Sequence, residues 1–356
     1  MLNKSSISAT KNHYQKRNTW HQEMATLYLL EQGTSLFKDH LRFIIYLDKN
    51  PSLEIPIREI ERIMVFGNIQ LTTQVICACL EQNIPVIYSS QMGEYRGHLW
   101  SEDSVNLNLQ LIQIECHKLL PYQFKIAQEI VIGKLNNSKQ LLLRLNRKRK
   151  SSLVNEAIAG INSDLKTLLL VNEIDSIRGY EGIGASRYFS ALGTLIVNDN
   201  FTFNLRNRQP PQDPVNSLLS FGYTLLFNNV LSLIIAEGLS PYFGNLHYGE
   251  KKKPYLAFDL MEEFRSVIVD SLVIKIINKG IFTPQDFQLS NNQGVYLLPQ
   301  ARKTFLKHFE TRMDELVSHP DLRSPVSYRQ VIQLQIRRYK RSLLEKENYK
   351  PFIRMA

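Results

Sequence analysis

"SEDSVNLNLQLIQIECHKLL", residues 101–120, is where the chain changes character. Upstream, short apolar runs rich in β-branched and aromatic residues alternate with turn signals, as strands do. Downstream, apolar residues recur three and four apart, as on amphipathic helices. The fold class that follows is α+β: an N-terminal β-sheet domain with one short helix, then a larger all-α domain. The polar junction between them is a linker at 104–107.

Within the first block, "ATLYLL" (25–30), "IERIMVFG" (60–67) and "IPVIYSS" (84–90) read as strands. "TTQVICACLEQN" (72–83) reads as the one helix, with Asn83 as its C-cap. "GEYRGHL" (93–99) closes the block as a turn and an edge strand. The β-domain is thus bounded at 24–103 and the helical domain at 108–345, with a basic tail at 346–356. Residues 1–23 are basic, rich in Ser and Asn, and lack an apolar core, so they read as a flexible extension rather than a secretory signal. In the helical block, "LQLIQIECHKLLPYQFKIAQEIVIGKLNNSKQLLLRLNRK" (109–148) and "DLKTLLLVNEIDSIRGYEGIGASRYFSALG" (164–193) each read as continuous helical patterns. "FTFNLRNRQPPQDPVN" (201–216) is irregular, and its Asp213-Pro214 pair reads as an N-cap with proline at the first helical position.

The chain has 356 residues, 44% of them apolar, which suits two packed cores. Its net charge of +10 favours a polyanionic partner. A membrane reading is weak, because runs such as "SVIVDSLVIKII" are interrupted by charge, and no stretch is expected to supply 18 uncharged apolar residues. The three cysteines, Cys77, Cys79 and Cys116, lie in apolar surroundings and read as buried thiols.

Three features carry chemistry. In "HYGEKKKPYLAFDLMEEFR" (247–265), His247 is followed by Asp259 and Glu262, which share a helix face three residues apart. They could be metal ligands, or Asp259 could cap a helix with Glu262 bonding back to it. In "RGYEGIGASRYFSAL" (178–192), Glu181 sits among small residues that let a helix or a phosphate backbone approach closely, flanked by Arg178 and Arg187. Basic runs supply the third feature. "RLNRKRKSS" carries Arg144, Arg147, Lys148 and Arg149, "GEKKKP" carries Lys251, Lys252 and Lys253, and "RRYKR" carries Arg337, Arg338, Lys340 and Arg341. Solvated faces are the plain reading of such runs, and DNA phosphate contacts are the functional one. A glutamate, a histidine and one or two further acids suit Mg²⁺ or Mn²⁺ beside a phosphodiester. No dinucleotide fingerprint, P-loop or nucleophile elbow is present.

"YEGIGASRYFSAL" (180–192), "RQPPQDPVNSLLSFGYTLL" (208–226), the His247 loop and "YLAFDLMEEFR" (255–265), in that order, resemble the CRISPR-associated integrase and endonuclease family, the nuclease subunit of the spacer-acquisition complex. The resemblance spans about residues 24–345. It implies a dimerising β-domain and a helical catalytic domain in which Glu181, His247 and Glu262 bind Mg²⁺ or Mn²⁺, with Asp259 as a possible accessory acid. Many members carry Asp where this chain has Glu262, with the same ligand chemistry. The resemblance further implies double-stranded DNA partners (a prespacer and the CRISPR repeat) and a homodimer. It also implies a small ferredoxin-fold partner in a hetero-hexamer, and a prokaryotic cytoplasmic location without a membrane. The activity implied is metal-dependent joining of prespacer 3′-hydroxyl ends into the repeat array. A metal-dependent endonuclease acting on branched DNA, or a non-catalytic DNA-binding scaffold, are the competing readings.

Overall fold

The computed structural model describes residues 25–48, 50–101, 106–208, 210–249, 253–291 and 293–354. The extension at 1–23, residues 104 and 105 of the linker, and Lys251 and Lys252 lie outside the described residues. The chain divides between Val105 and Asn106 into two compact units.

The first unit runs β1 (Ala25–Leu29), β2 (Ser35–Asp39), β3 (Arg42–Leu47), β4 (Asn50–Pro56), β5 (Ile60–Phe66), β6 (Gln70–Leu71), α1 (Thr73–Glu81), β7 (Val86–Ser89) and β8 (Tyr95–Leu99). One sheet has the order β1-β5-β7-β8, parallel except for the antiparallel edge strand β8. The other has the order β4-β3-β2-β6. Parallel neighbours need a crossover between them. The second sheet's strands β2–β4 lie between β1 and β5 in sequence, and α1 lies between β5 and β7. Leu36, Phe43, Ile45, Ile63, Val75 and Val86 are among the residues of the shared core. Asn83, in the left-handed region at φ 54, follows α1. Cys79 is buried, which pushes its thiol up to about 12, whereas Cys77 is exposed and Cys116 half-buried. The expectation of three buried thiols therefore holds for Cys79 alone.

The second unit holds α2 (Leu107–Lys118), α3 (Leu120–Asn146), α4 (Ser152–Leu168), α5 (Ile174–Gly193), α6 (Pro214–Ala236), α7 (Tyr255–Phe264) and α8 (Ser271–Asn278), a hairpin of β9 (Phe287–Leu289) and β10 (Val295–Leu297), then α9 (Pro299–Asp314), β11 (Leu316–Val317), β12 (Val326–Ser327) and α10 (Tyr328–Leu344). The two short hairpins correct the all-α expectation. Each long helical pattern is also broken in two. Leu119 is extended ahead of α3, which has Pro121 in its first turn, and extended Glu173 separates α4 from α5. Asp213 caps α6 as expected, its Oδ1 accepting from the Asn216 N–H at 2.8 Å. α6 is uncharged over 23 residues, so the expectation of no such stretch is overturned. Most of its most apolar window is buried within the protein, as in a core helix.

Between α7 and α8 the helix continues as a π segment, Arg265–Asp270. Such extra-residue turns recur at functional sites. The segment ends at buried Asp270, which accepts from the Tyr188 and Tyr223 hydroxyls at 2.7 and 2.6 Å. Within the segment read as a basic tail, Tyr349 and Phe352 are buried. Phe352 stacks on Phe264 and His319. Its N–H donates to Glu263 Oε2 at 2.8 Å, and Asn137 Nδ2 donates to its carbonyl at 2.7 Å. Gly133 on α3 permits this close approach, since a Cβ there would collide with Pro351 and crowd Glu263.

Burial pushes the Glu263 carboxyl up to about 7, against hydrogen bonds from Tyr349, Phe352 and Gln335 that favour its charge. Its folded value lies above the ordinary 4.5, so its contribution to stability is complete below that pH and lost as pH rises through about 7. Urea midpoints of the wild type are therefore expected to fall, relative to those of Glu263→Gln, between about pH 4.5 and 7. Parallel profiles for the two proteins would contradict this.

Candidate active site

α7 starts at Tyr255 without a side-chain cap, so Asp259 lies in its second turn and is not an N-cap. Asp259 is fully buried. Its Oδ2 accepts the N–H groups of Asn245 and Leu246, and its Oδ1 accepts the His247 N–H at 2.9 Å. The same Oδ1 lies 2.8 Å from His247 Nδ1. An ionised carboxylate only accepts, so Nδ1 carries the proton and Nε2 is turned toward Glu262. Asp259 thus folds the loop and orients the imidazole rather than adding a ligand. Burial opposes charge on His247, but Asp259 outweighs it and raises the imidazole above its ordinary value.

Glu262, one turn on, is 2% exposed. Arg265 Nη2 lies 2.9 Å from its Oε1, Lys134 Nζ 2.7 Å from its Oε2, and His247 Nε2 4.0 Å from its Oε1. Burial alone would raise this carboxyl, yet Arg265, Lys134 and His247 together hold it down to about 2. Lys134 also bonds Glu181 on α5, so one ammonium ties the two glutamates together. Arg265, first residue of the π segment, lies over the Tyr223 ring at 4.7 Å. The structure therefore brings Glu181, His247 and Glu262 to one place, with Asp259 behind the histidine. Among the described residues no group of three His, Cys, Asp or Glu side chains stands ready as a metal cage. Lys134 and Arg265 were not singled out from sequence. The one signal for Lys134 is a charge on the apolar face of α3, three residues after Val131 and four after Ile130.

The donor set nevertheless suits a hard divalent cation. It has two carboxylates and an imidazole nitrogen, and a buried carboxylate braces that imidazole through its other nitrogen, as at many metal sites. At Glu262 Oε2 the neighbouring cation is the Lys134 ammonium, 2.7 Å away.

The other expected residues separate. Arg178 Nε donates to the Leu246 carbonyl at 2.7 Å and its guanidinium lies over Tyr248, so it braces the His247 loop. Arg187 pairs with Asp164 at 3.1 Å. Gly184 is where Leu135 of α3 packs, whereas Gly179 and Gly182 face open space. Arg337 and Lys340 pair with Glu237, and Arg338 and Arg341 with Asp321. Arg149 donates to the Leu195 carbonyl at 2.6 Å. Arg144, Arg147, Lys148 and Lys253 are exposed.

Removing Asp259 strands three backbone donors and the imidazole N–H. Asp259→Ala is expected to lower stability by about 3 kcal/mol or more. His247→Ala, at a partly exposed side chain, is expected to lower it by under about 1 kcal/mol. Urea unfolding measures both, and equal losses would show that Asp259 does not organise the loop.

The family described as CRISPR associated protein Cas1 matches residues 27–311. A CRISPR-associated endonuclease Cas1 from Moorella thermoacetica is 32% identical over 340 residues, 94% of this chain and 99% of its own. The solved structure of a casposase bound to integration product superposes with a TM-score of 0.81 at 25% identity over 93% of each chain. A Cas6-RT-Cas1–Cas2 complex superposes at 0.82 and 23% identity, over 96% of this chain and 37% of that one, a likeness of fold. With the match running through both units, the chain belongs to the Cas1 family of CRISPR-associated endonucleases.

Proposed function

We propose that the chain is a CRISPR adaptation integrase, joining the 3′-hydroxyl ends of a short prespacer duplex into the CRISPR repeat array in a divalent-cation-dependent reaction. The observation that carries this is the convergence of Glu181, Glu262 and an imidazole whose Nδ1 is fixed by Asp259. These three side chains would hold Mg²⁺ or Mn²⁺, which when bound supplies charge to polarise the phosphodiester. Asp259 keeps the His247 ring in one orientation. Arg265 remains beside Glu262 as a fixed positive charge. Lys134 holds the two glutamates together, so its ammonium would compete with a cation for them. The casposase likeness supports joining over simple cleavage, since that structure holds an integration product. Bond number is conserved in such a transfer, so it lies near balance and runs in reverse.

Two catalytic subunits are needed for two strand transfers. A homodimer through the β-unit supplies them, and a small ferredoxin-fold partner of the Cas2 kind joins two dimers in a hetero-hexamer on double-stranded DNA in the prokaryotic cytoplasm. Light scattering at micromolar concentration is expected to show a dimer, and a monomer would count against this arrangement.

The direct test is an integration assay with a 3′-hydroxyl duplex and a repeat-bearing target. Glu181→Ala, His247→Ala and Glu262→Ala are each expected to abolish joining and cleavage while DNA binding persists, because affinity comes mainly from cations at phosphates. Cleavage of branched DNA without joined product would favour the endonuclease reading. DNA binding with neither activity would favour a scaffold.

Lys134 gives a test independent of turnover. Lys134→Met leaves the two glutamates without their shared ammonium. Mn²⁺ is expected to raise its thermal midpoint more, and at lower concentration, than that of the wild type. Equal shifts would mean that Lys134 does not compete for the site.

A further inference from the structure

A second group of cations takes no part in the cluster above. The last turns of α3, the start of the following loop, α4, the π segment and the C-terminal segment enclose an open pocket of about 720 Å³. Arg144, Arg147, Lys150 and Arg354 line it, with Ile158 and Val267 among its apolar walls. Among the described residues no carboxylate lines it. Among the described residues, none of the four cationic side chains is ion-paired, unlike Arg337, Arg338, Lys340 and Arg341. Arg354 is held in place by its backbone, whose N–H donates to Asn137 Oδ1 at 2.8 Å. Although Arg144 reaches solvent, partial desolvation by its neighbours, then the Arg354 and Arg312 guanidiniums, push it below its ordinary value, with Tyr328 and Glu315 opposing. Like charges gathered without an acid are relieved when an anion enters.

The shape narrows the anion. Three guanidinium forks and an ammonium match phosphate oxygens. A bare phosphate would leave the apolar walls wet, whereas a sugar and base would cover them. A volume of about 720 Å³ suits a small organic ligand rather than a single ion. We propose that this pocket binds a nucleoside 5′-phosphate, supplied either as a free nucleotide or as the terminal nucleotide of a DNA strand. Arg144 lies ten residues beyond Lys134 on one helix, about 15 Å along its axis. The pocket is therefore separate from the metal-type cluster, and its occupancy does not rest on the nuclease reading.

The test uses the full chain with a chelator present, so that loss of cation-dependent activity and loss of this site are distinguished. The probe is methylanthraniloyl-labelled AMP, followed by fluorescence anisotropy. Unlabelled AMP is expected to displace it. Arg144→Glu and Arg147→Glu are each expected to weaken binding about tenfold or more, each removing a charge-assisted phosphate contact. Arg341→Glu, on α10 and already paired with Asp321 and Glu347, is expected to leave it unchanged. Both arginines are exposed, so two variants that weaken binding alike would not share a folding defect. A 5′-phosphorylated oligonucleotide that displaces the probe better than both AMP and its 5′-hydroxyl counterpart would identify a strand end, and better displacement by AMP a free nucleotide. Either supports the site. Absence of displacement at millimolar AMP, indifference to both charge reversals, or equal competition by inorganic phosphate would overturn it.

Discussion

Glu262 is a carboxylate buried to 2% exposure, and the cluster follows from what that requires. Removing such a charge from water costs several kcal/mol unless cations and donors replace the solvent. Here the replacements come from three places in the chain: Lys134 on α3, Arg265 at the head of the π segment, and His247 on its loop. Each is itself positioned. Lys134 lies beside Gly133, where α3 comes close to Pro351. Arg265 rests on the Tyr223 ring, and His247 is oriented by Asp259. Glu181 shares the Lys134 ammonium, so it is drawn into the same balance of charge.

The acids of α7 show how little residue type decides. Glu262 and Glu263 are consecutive and both buried, yet cations hold the first down to about 2 while burial pushes the second up to about 7. Asp259, one turn earlier, is surrounded by N–H donors instead. One acid meets cations, one meets neutral donors from the C-terminal segment, and one organises a loop. Which role falls to which is set by the face of the helix and by what packs there.

That division explains how much was legible in the sequence. The switch from strand to helix periods near residue 105 and the Asp213-Pro214 cap follow from local pattern, whereas the gathering of Glu181, His247 and Glu262 was implied only by the family resemblance. The role of Asp259 does not, because the i, i+3 spacing fits both a capping pair and two unrelated duties. Lys134 was missed because its partner Glu181 lies 47 residues away and no periodicity encodes that pairing. The basic run at 337–341 read as a phosphate contact because its neutralising acids, Glu237 and Asp321, are distant in sequence. Charge counted along the chain overstates charge available to a ligand wherever tertiary partners intervene. Phe352 went unread for a related reason: a short segment after the last helix carries no period, only a destination.

That destination bears on when the protein can be assembled. Every strand pairing of the first unit lies within residues 25–99, so its two sheets can be completed while the remainder is still being translated. The second unit differs. Asn137, Glu263 and Gln335 find their partners in residues 349–354, which are synthesised after every helix and strand of the unit. Until then α3 and α7 lack the segment that joins them beside Lys134 and Glu262. A nascent chain that stops short of residue 349 therefore carries a finished β-unit and an unfinished cluster, and the acids reach their final setting only once residues 349–354 have emerged.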